Sequence, residues 1–259
     1  MATETAPSID KLQRRLLRAV GRAIDDFEMI DPGDRVLVGL SGGKDSYTLL
    51  VILQLLQRRA PVPFELVAAN LDPGYPGYRP DTVRDFAREC GVEIHLIDAP
   101  IKQLAHRHIA EGKPACPLCS RMRRGALYTL ANRIGAGKLA LGHHLDDALE
   151  TLLLNLFHAG ALRAMPPRLV REPGPTVIRP LCYALEQDIA AYARARAFPA
   201  IACASAQCGG DDQRRQVVKR MLADLASEYP DLRTQMRKAL GNVHTEALFD
   251  RNLRSRDSP

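Results

Sequence analysis

Apolar residues recur along the chain at two spacings, and the alternation of these spacings predicts the order of helices and strands. Residues 9–29 carry apolar positions at helical spacing, which indicates an amphipathic helix that ends at Asp31-Pro32-Gly33. Short apolar runs then alternate with longer amphipathic stretches. The predicted strands are 35–40, 64–71, 92–98, 138–141 and 176–181. The predicted helices are 44–59, 80–90, 100–111, a helix that follows Cys119 and runs to about 134, one that opens near Asp146, and 185–197.

Strands that alternate with helices predict an α/β fold with a doubly wound parallel sheet, because parallel strands need crossover connections. From about residue 199 the pattern changes to a cysteine-bearing loop, 199–212, followed by two basic helices, 212–227 and 231–243. We therefore interpret the chain as three parts. These are an N-terminal helix and tail (1–30), an α/β domain (31–198) and a C-terminal extension (199–259).

Composition and charge favour a globular enzyme with an anionic partner. The chain has 259 residues, of which 46% are hydrophobic, so a sizeable core can form. It lacks an apolar run near the ~20 residues of a membrane span, and its first residues lack the basic start and apolar stretch of a secretory signal. We therefore expect a cytoplasmic protein without a membrane partner. The formal net charge of +6 and the arginine-rich segments 121–124 and 214–220 favour contact with a polyanion such as nucleic acid.

A glycine-rich turn directly after the first predicted strand is the strongest candidate site. Its glycines let main-chain N–H groups approach an anion, and the start of the following helix adds partial positive charge. Lys44 supplies a mobile cation, while Ser41 and Ser46 supply hydroxyl donors. The spacing differs from the GxxxxGK(S/T) of the common P-loop. We predict that the phosphates of a nucleotide bind here, and the candidate residues are Ser41, Gly42, Gly43, Lys44, Asp45 and Ser46.

Further polar groups follow two other predicted strands. Asp72 follows the second strand, and Gly142 and His143 follow the fourth. Because ligands bind at the carboxyl ends of parallel strands, we expect these residues to meet the glycine-rich turn at one edge of the sheet. The adjacent carboxylates Asp146 and Asp147 open the next helix. They can hold Mg²⁺, orient an attacking group or cap the helix.

The six cysteines divide into two groups. Cys90 and Cys182 have apolar neighbours and are expected to be core residues. The motif Cys116-x-x-Cys119 and a later pair lie in loop-like segments, which indicates metal binding or redox chemistry. From spacing alone, a 4Fe-4S cluster held by three thiolates, a zinc site, and unrelated or redox thiols remain alternatives. The later pair is Cys203 and Cys208.

Several segments resemble, in the same order, those of one known family. The run Ser41–Ser46 is similar to the SGGxDS PP-loop with which ATP pyrophosphatases hold the pyrophosphate of ATP. The other segments are Asn70-Leu71-Asp72, Pro76-Gly77-Tyr78, Cys116–Gly125, Leu141–Asp147, Met165-Pro166-Pro167, Ile178–Leu181 and Phe198-Pro199. Together they look like the tRNA 2-thiocytidine synthetase family of PP-loop ATP pyrophosphatases. The resemblance extends from about residue 10 to about residue 245.

This resemblance implies a fold, a reaction and a set of cofactors. The expected fold is the doubly wound parallel α/β sheet of the PP-loop ATP pyrophosphatases, with an N-terminal helix and a C-terminal helical extension. The expected reaction is ATP- and Mg²⁺-dependent thiolation at C2 of cytidine 32 in the tRNA anticodon loop. It is expected to pass through an adenylated intermediate and to release AMP and pyrophosphate.

The same resemblance implies how sulfur is supplied. Sulfur is expected from a cysteine desulfurase by way of an oxygen-sensitive 4Fe-4S cluster. Its expected ligands are Cys116, Cys119 and Cys208, and Cys203 is the alternative to Cys208. The family also suggests a homodimer.

The glycine-rich turn, the first cysteine motif and the segment around Asp146 together indicate catalytic and nucleotide-binding residues. Arg123 lies four residues after Cys119, one helical turn further on, and is expected to face the active site. With it, the expected catalytic residues are Lys44, Asp45, Asp146 and Asp147. The expected nucleotide-binding residues are the glycine-rich turn with Asp72, Gly142 and His143. Two other functions remain open, namely an ATP-dependent tRNA-modifying ligase or amidotransferase with structural zinc, and a non-catalytic nucleotide sensor that binds metal.

Overall fold

The computed structural model describes residues 7–72, 78–98, 116–199, 201 and 213–249, and for residues 116–120 it describes the backbone. The described chain begins with helix α1 (Ile9–Asp26), and the hydroxyl of Ser8 caps it by accepting the N–H of Lys11 at 3.4 Å. The helix ends before the predicted residue 29 because Glu28 adopts a left-handed conformation, with φ of 46°.

A six-stranded sheet forms the centre of the fold. Its order is β3-β2-β1-β4-β6-β5, and all neighbouring strands are parallel except β5 and β6, which are antiparallel. The strands are β1 (Arg35–Gly39), β2 (Glu65–Asp72), β3 (Glu93–Asp98), β4 (Lys138–Ala140), β5 (Arg168–Leu169) and β6 (Thr176–Ile178). This confirms the predicted α/β class and parallel sheet, to which β5 adds an antiparallel edge.

The described helices follow the predicted order. They are α2 (Lys44–Gln57), α3 (Pro80–Glu89), α4 (Cys116–Arg133), α5 (Leu145–His158), α6 (Glu186–Ala195), α7 (Gln213–Glu228) and α8 (Leu232–Leu240), with short 3₁₀ helices at Pro180–Tyr183 and Thr245–Ala247. None of the helices in the described ranges is long and apolar enough to cross a membrane.

Three local predictions were wrong or incomplete. The strand predicted at 176–181 ends at Ile178, since Pro180 lacks the N–H that a further ladder bond needs and begins a 3₁₀ helix. The two residues of β5 were missed because they are too few to show a period. The helix after the first cysteine motif begins at Cys116 and therefore contains the motif in its first turn. The helix predicted at 100–111 lies outside the described residues.

Helix α2 is buried along most of its length and so holds the turn that precedes it. Every residue from Ser46 to Leu53 is buried, as expected for a helix that is apolar on all sides. It packs between the sheet and helices α1 and α6. A strand on one side and a fully packed helix on the other thus fix both ends of the glycine-rich turn.

The opposite face of the sheet and the C-terminal helices complete the core. Helix α4 covers the second face, where Leu130 packs with Leu37 and Leu139, so both faces of the sheet are buried as in doubly wound folds. Helix α7 packs on α5 through Val218 and Leu222. Helix α1 packs in the same hydrophobic core as α2. The division of the chain into three parts therefore stays an interpretation.

Candidate active site

The loop after β4 lies directly against the first turn of α2. A Cβ atom on Gly142 would be 3.1 Å from the main-chain nitrogen of Ser46 and 3.2 Å from the carbonyl carbon of Asp45. Most Cβ atoms keep a greater distance than this from main chain, so glycine allows the two segments to touch without either one shifting. Asp72 is the last residue of β2, the neighbour of β1. The predicted convergence of the glycine-rich turn, Gly142 and Asp72 at one edge of the sheet is therefore confirmed.

Hydroxyl groups hold the glycine-rich turn in shape. The Oγ of Ser46 accepts the N–H of Ser41 at 3.2 Å and donates to the carbonyl of Gly43 at 2.9 Å. Gly42 has φ of +82°, and a Cβ there would lie 3.0 Å from Ile201, so both torsion and space favour glycine. Among the side chains that the structure describes, none caps α2 at Gly43. The N–H groups of its first turn are thus available to an anion such as a phosphate.

Lys44 lies between two carboxylates at this turn. Its Nζ is 3.0 and 3.1 Å from the two carboxylate oxygens of Asp45 and 3.3 Å from Oε1 of Glu186. Burial disfavours the ammonium, but Asp45 and Glu186 outweigh that effect and raise the pKa of Lys44. The lysine is therefore charged at neutral pH and has a cation to offer to phosphate.

His144, which is buried, joins the glycine-rich turn to helix α5. Its Nδ1 accepts the N–H of Asp147 at 3.4 Å, and its own N–H donates to Oδ2 of Asp147 at 3.1 Å, which together form a capping box. An accepting Nδ1 places the proton on Nε2. This nitrogen lies 3.6 Å from Oδ2 of Asp147 and 3.9 Å from Oδ1 of Asp45. Asp45 and Asp147 are thus neighbours of one imidazole nitrogen.

Asp146 approaches the other nitrogen of the same imidazole, with Oδ2 3.9 Å from Nδ1 of His144, and both of its oxygens are engaged in structural contacts. Its Oδ2 accepts the N–H of Glu186 at 2.8 Å, and its Oδ1 accepts from Nε of Arg233 at 2.6 Å. Asp146 thereby caps the start of α6 and ties α8 to the edge of the sheet. These contacts favour a positioning role for Asp146, whereas Asp147 stays nearer to the glycine-rich turn.

Buried polar atoms without a partner among the described residues lie close to the same edge. They include Nδ1 of His143, Nε of Arg179 and Nε of Arg123. Burial, helped by the positive charge of Arg179, lowers the pKa of His143 to about 4, although Asp147 acts in the opposite direction. The imidazole of His143 is consequently neutral at pH 7. Such unsatisfied atoms are uncommon in folded proteins and are typical of sites that bind a ligand.

A hydrogen-bonded tyrosine near the end of β2 is close enough to Arg123 to be influenced by its charge. Asn70, which is buried, donates from Nδ2 to the carbonyl of Leu40 at 2.7 Å and to the hydroxyl of Tyr78 at 2.5 Å. Burial raises the pKa of Tyr78, while the hydrogen bond from Asn70 and the charge of Arg123 act in the opposite direction. Arg123 therefore lies close to Tyr78, and its catalytic role stays a prediction.

Helix α7 brings two cations that the sequence did not place here. Arg215 donates to Oε2 of Glu150 at 2.9 Å and lies 3.6 Å from Asp147, and Lys219 donates to Oε2 of Glu186 at 2.7 Å. The arginine-rich segment was visible in the sequence, but its position over the sheet edge was not. Glu186 was missed as well, and its only signal was an acidic residue at the start of a predicted helix.

Four of the six cysteines lie within the residues that the structure describes. Cys182 is buried and Cys90 is half-buried in the main core, as predicted. Burial raises the pKa of Cys182 to about 12. Cys116 and Cys119 occupy the first turn of α4. Because α4 ends shortly before the amino end of β4, its first turn lies toward the carboxyl edge of the sheet.

The other two cysteines, Cys203 and Cys208, lie outside the described residues. Within the described ranges, no group of three or more His, Cys, Asp or Glu side chains is arranged to hold a metal ion. The structure thus leaves the identity of the cluster ligands as a prediction.

Comparison with known proteins gives consistent results. A family model described as PP-loop domain matches residues 10–221. The chain is 50% identical to tRNA-cytidine(32) 2-sulfurtransferase from Azotobacter vinelandii over 246 residues. This alignment covers 94% of this chain and 89% of that protein. It is 48% identical over 247 residues to the protein of the same name from Anaeromyxobacter dehalogenans, with 95% and 84% covered.

Among solved structures, the chain is similar to the U34-tRNA thiolase NcsA from Methanococcus maripaludis, which was determined with its 4Fe-4S cluster. The TM-score is 0.73 and the sequence identity 21%, with 92% of this chain and 81% of that chain covered. At this identity the likeness shows that the two proteins share the fold.

Proposed function

Because the chain belongs to the tRNA-cytidine(32) 2-sulfurtransferase family, we propose that it thiolates C2 of cytidine 32 in the tRNA anticodon loop at the expense of ATP. The observation that carries this proposal is an identity of 47–50% to several members over about 95% of the chain. The chain is accordingly a transferase. The site geometry supports the use of ATP, since an uncapped helix start and a charged lysine meet at the glycine-rich turn.

The proposed reaction has two chemical steps. The C2 oxygen of cytidine attacks the α-phosphorus of ATP, the bond to pyrophosphate breaks, and the base carries an adenylate. A sulfur nucleophile then attacks C2, and the oxygen leaves with AMP. Activation must come first because a bare carbonyl oxygen is a poor leaving group. The first-turn N–H groups of α2 and the ammonium of Lys44 would bind the departing pyrophosphate and stabilise its charge.

Asp45 and Asp147 are the carboxylates best placed to hold Mg²⁺. Carboxylate oxygens are the ligands that Mg²⁺ prefers, and these two flank the Nε2 of His144. The oxygens of Asp146 accept from Glu186 and Arg233, contacts that hold α6 and α8 in place. Those of Asp45 accept from Lys44, whose ammonium would turn to the phosphates of bound ATP and leave them to the metal. We therefore assign the metal to Asp45 and Asp147 and a positioning role to Asp146. Arg123, whose Nε has no partner among the described residues, is assigned to the substrate.

The proposed cluster would be held by Cys116, Cys119 and Cys208. The first two lie three residues apart in the first turn of α4, a spacing that suits two ligands of one cluster. When bound, the cluster would supply sulfur to the activated base. We further propose that a cysteine desulfurase provides this sulfur and that the enzyme acts as a cytoplasmic homodimer.

Mass analysis of tRNA nucleosides tests the proposal. Cells that lack the gene should lose 2-thiocytidine, and the gene should restore it, whereas the Lys44→Gln variant should not. Lys11→Gln, which alters an exposed lysine on α1, is the matched control and should restore it fully. Unchanged 2-thiocytidine in the deletion strain would overturn the proposed activity.

Product analysis with purified protein tests the adenylation step separately. The expected products from ATP are AMP and pyrophosphate in a tRNA-dependent reaction, and ADP with phosphate would exclude an adenylated intermediate. Protein purified without oxygen should absorb broadly near ~400 nm, as iron–sulfur proteins do. Colourless protein with one zinc per chain would instead support the ligase or amidotransferase alternative.

A further inference from the structure

Two lysines from distant parts of the chain bind one glutamate at the glycine-rich turn. Oε1 of Glu186 is 3.3 Å from Nζ of Lys44, and Oε2 of the same carboxylate is 2.7 Å from Nζ of Lys219. The two ammonium groups are therefore close neighbours, one on each oxygen of a single carboxylate. All three side chains are partly exposed, with 26% for Glu186, 32% for Lys44 and 50% for Lys219.

The position of Lys219 is determined by packing rather than by the ion pair alone. The preceding residue, Val218, is buried together with Leu222 against Leu145 and Leu149 of α5. This apolar contact fixes the helical turn that carries Lys219 over the sheet edge. An exposed ion pair is too weak to hold a helix by itself, so the lysine is brought to the site by the core.

A pair of ammonium groups around one anionic carboxylate can accept a phosphate in its place. The β- and γ-phosphates together carry more negative charge than one carboxylate, and their oxygens form strong charge-assisted hydrogen bonds with lysine. Partly exposed lysine–carboxylate pairs are weak, so replacing Glu186 costs little. Lys44 is already part of the phosphate site by its place in the glycine-rich turn, and Lys219 shares its anion.

We propose that Lys219 is a second lysine that binds the β- and γ-phosphates of ATP, and that Glu186 occupies both lysines while the nucleotide is absent. This inference rests on the proposed use of ATP by the glycine-rich turn. Binding of ATP would transfer the two ammonium groups from the carboxylate to the phosphates. Helix α7 of the C-terminal extension then becomes part of the nucleotide site.

Nucleotide binding to the full-length protein tests this proposal. The probe is the Mg²⁺ complex of α,β-methylene ATP, measured by titration calorimetry without tRNA. Lys219→Gln should raise its dissociation constant at least about tenfold, the size expected for a lost hydrogen bond to a charged group. Lys219→Arg keeps the charge and should recover most of the affinity. Arg220→Gln, the exposed neighbour on α7, is the matched control and should bind like wild type.

Two further measurements separate binding of the outer phosphates from structural support. AMP lacks the β- and γ-phosphates, so its affinity should be unchanged in Lys219→Gln. An equal loss of AMP and ATP analogue affinity would mean that Lys219 only supports the fold and would overturn the proposal. Glu186→Gln should lower the dissociation constant of the ATP analogue, because the competing charge is gone. A weaker affinity in this variant would show that Glu186 positions the lysines and does not compete with ATP.

The outcomes distinguish this inference from the proposed function. If wild type binds the ATP analogue and Lys219→Gln binds equally well, the inference fails while the proposed thiolation stands. If the variants behave as expected but tRNA is never thiolated, the inference stands and the proposed function fails. If wild type does not bind the analogue, the inference fails, and the nucleoside analysis alone decides the proposed thiolation.

Discussion

The α-carbon of Gly142 approaches the main-chain nitrogen of Ser46 so closely that a Cβ atom would lie 3.1 Å from it. The contact joins the loop after β4 to the first turn of α2. It therefore sets the distance between the capping box of α5 and the glycine-rich turn. Gly142 lies outside the left-handed region, so space and not torsion is what requires glycine.

Gly142→Ala should destabilise the protein and weaken ATP binding. The added methyl group meets main chain, which has to shift, and overpacking of this kind costs about 1–3 kcal/mol. Urea unfolding measures the loss of stability, and calorimetry measures the affinity for the ATP analogue. Gly137→Ala is the control, because its Cβ would meet only Asp34, at an ordinary 3.9 Å. Equal stability of the two alanine variants would show that the loop relaxes freely.

Asp146→Ala should destabilise the fold more than a surface charge change does. It leaves the N–H of Glu186 and the partly exposed guanidinium of Arg233 without their acceptor, and a buried polar group that loses its partner costs about 1–3 kcal/mol. Thermal unfolding measures the effect. Asp188→Ala, which removes a surface pair with Arg15, should cost no more than about 1 kcal/mol. If Asp146→Ala is as stable as wild type, the positioning role of Asp146 is wrong.

His143 should make the protein less stable as the pH falls from 6.5 toward 4. Its pKa in the folded chain is about 4, against an ordinary value of 6.5, so the unfolded chain takes up the proton first. The resulting loss is on the order of 3 kcal/mol. Urea unfolding at pH 7 and at pH 4 measures this loss of stability. Wild type should show it, and His143→Gln should not. An imidazole that titrates near pH 6.5 by NMR would contradict this prediction.

The two groups of cysteines should respond differently to substitution. Cys116→Ala, Cys119→Ala and Cys208→Ala should each lose the absorbance of the cluster, because no neighbour replaces a lost thiolate. Cys90→Ala and Cys182→Ala should keep it, since they change only core packing, at about 1 kcal/mol. Absorbance of the anaerobically purified variants measures the difference.

The third ligand can be decided by the same series. If Cys203→Ala loses the absorbance and Cys208→Ala keeps it, the assignment of the later pair is reversed. Full absorbance in Cys116→Ala would remove the first motif from the ligand set.

Local patterns were sufficient to predict the glycine-rich turn and its neighbours. Strand β1 and helix α2 are defined by continuous apolar runs, and the turn between them by adjacent glycines, so residues close in sequence determine this unit. The position of Asp72 and Gly142 at the same edge as the turn also followed, because the ends of parallel strands share one edge.

The sequence alone thus determined the order of most elements, the parallel sheet and the place of the glycine-rich turn at its carboxyl edge. Only the tertiary structure decided that Asp146 caps α6 and that Lys219 shares Glu186 with Lys44. These contacts join side chains far apart in the chain. They depend on the packing of α7 and α8 against α5, where a rotation of one helix by a single residue would exchange every partner. Periodicity identifies the buried face of a helix, but not which neighbouring side chain will meet it.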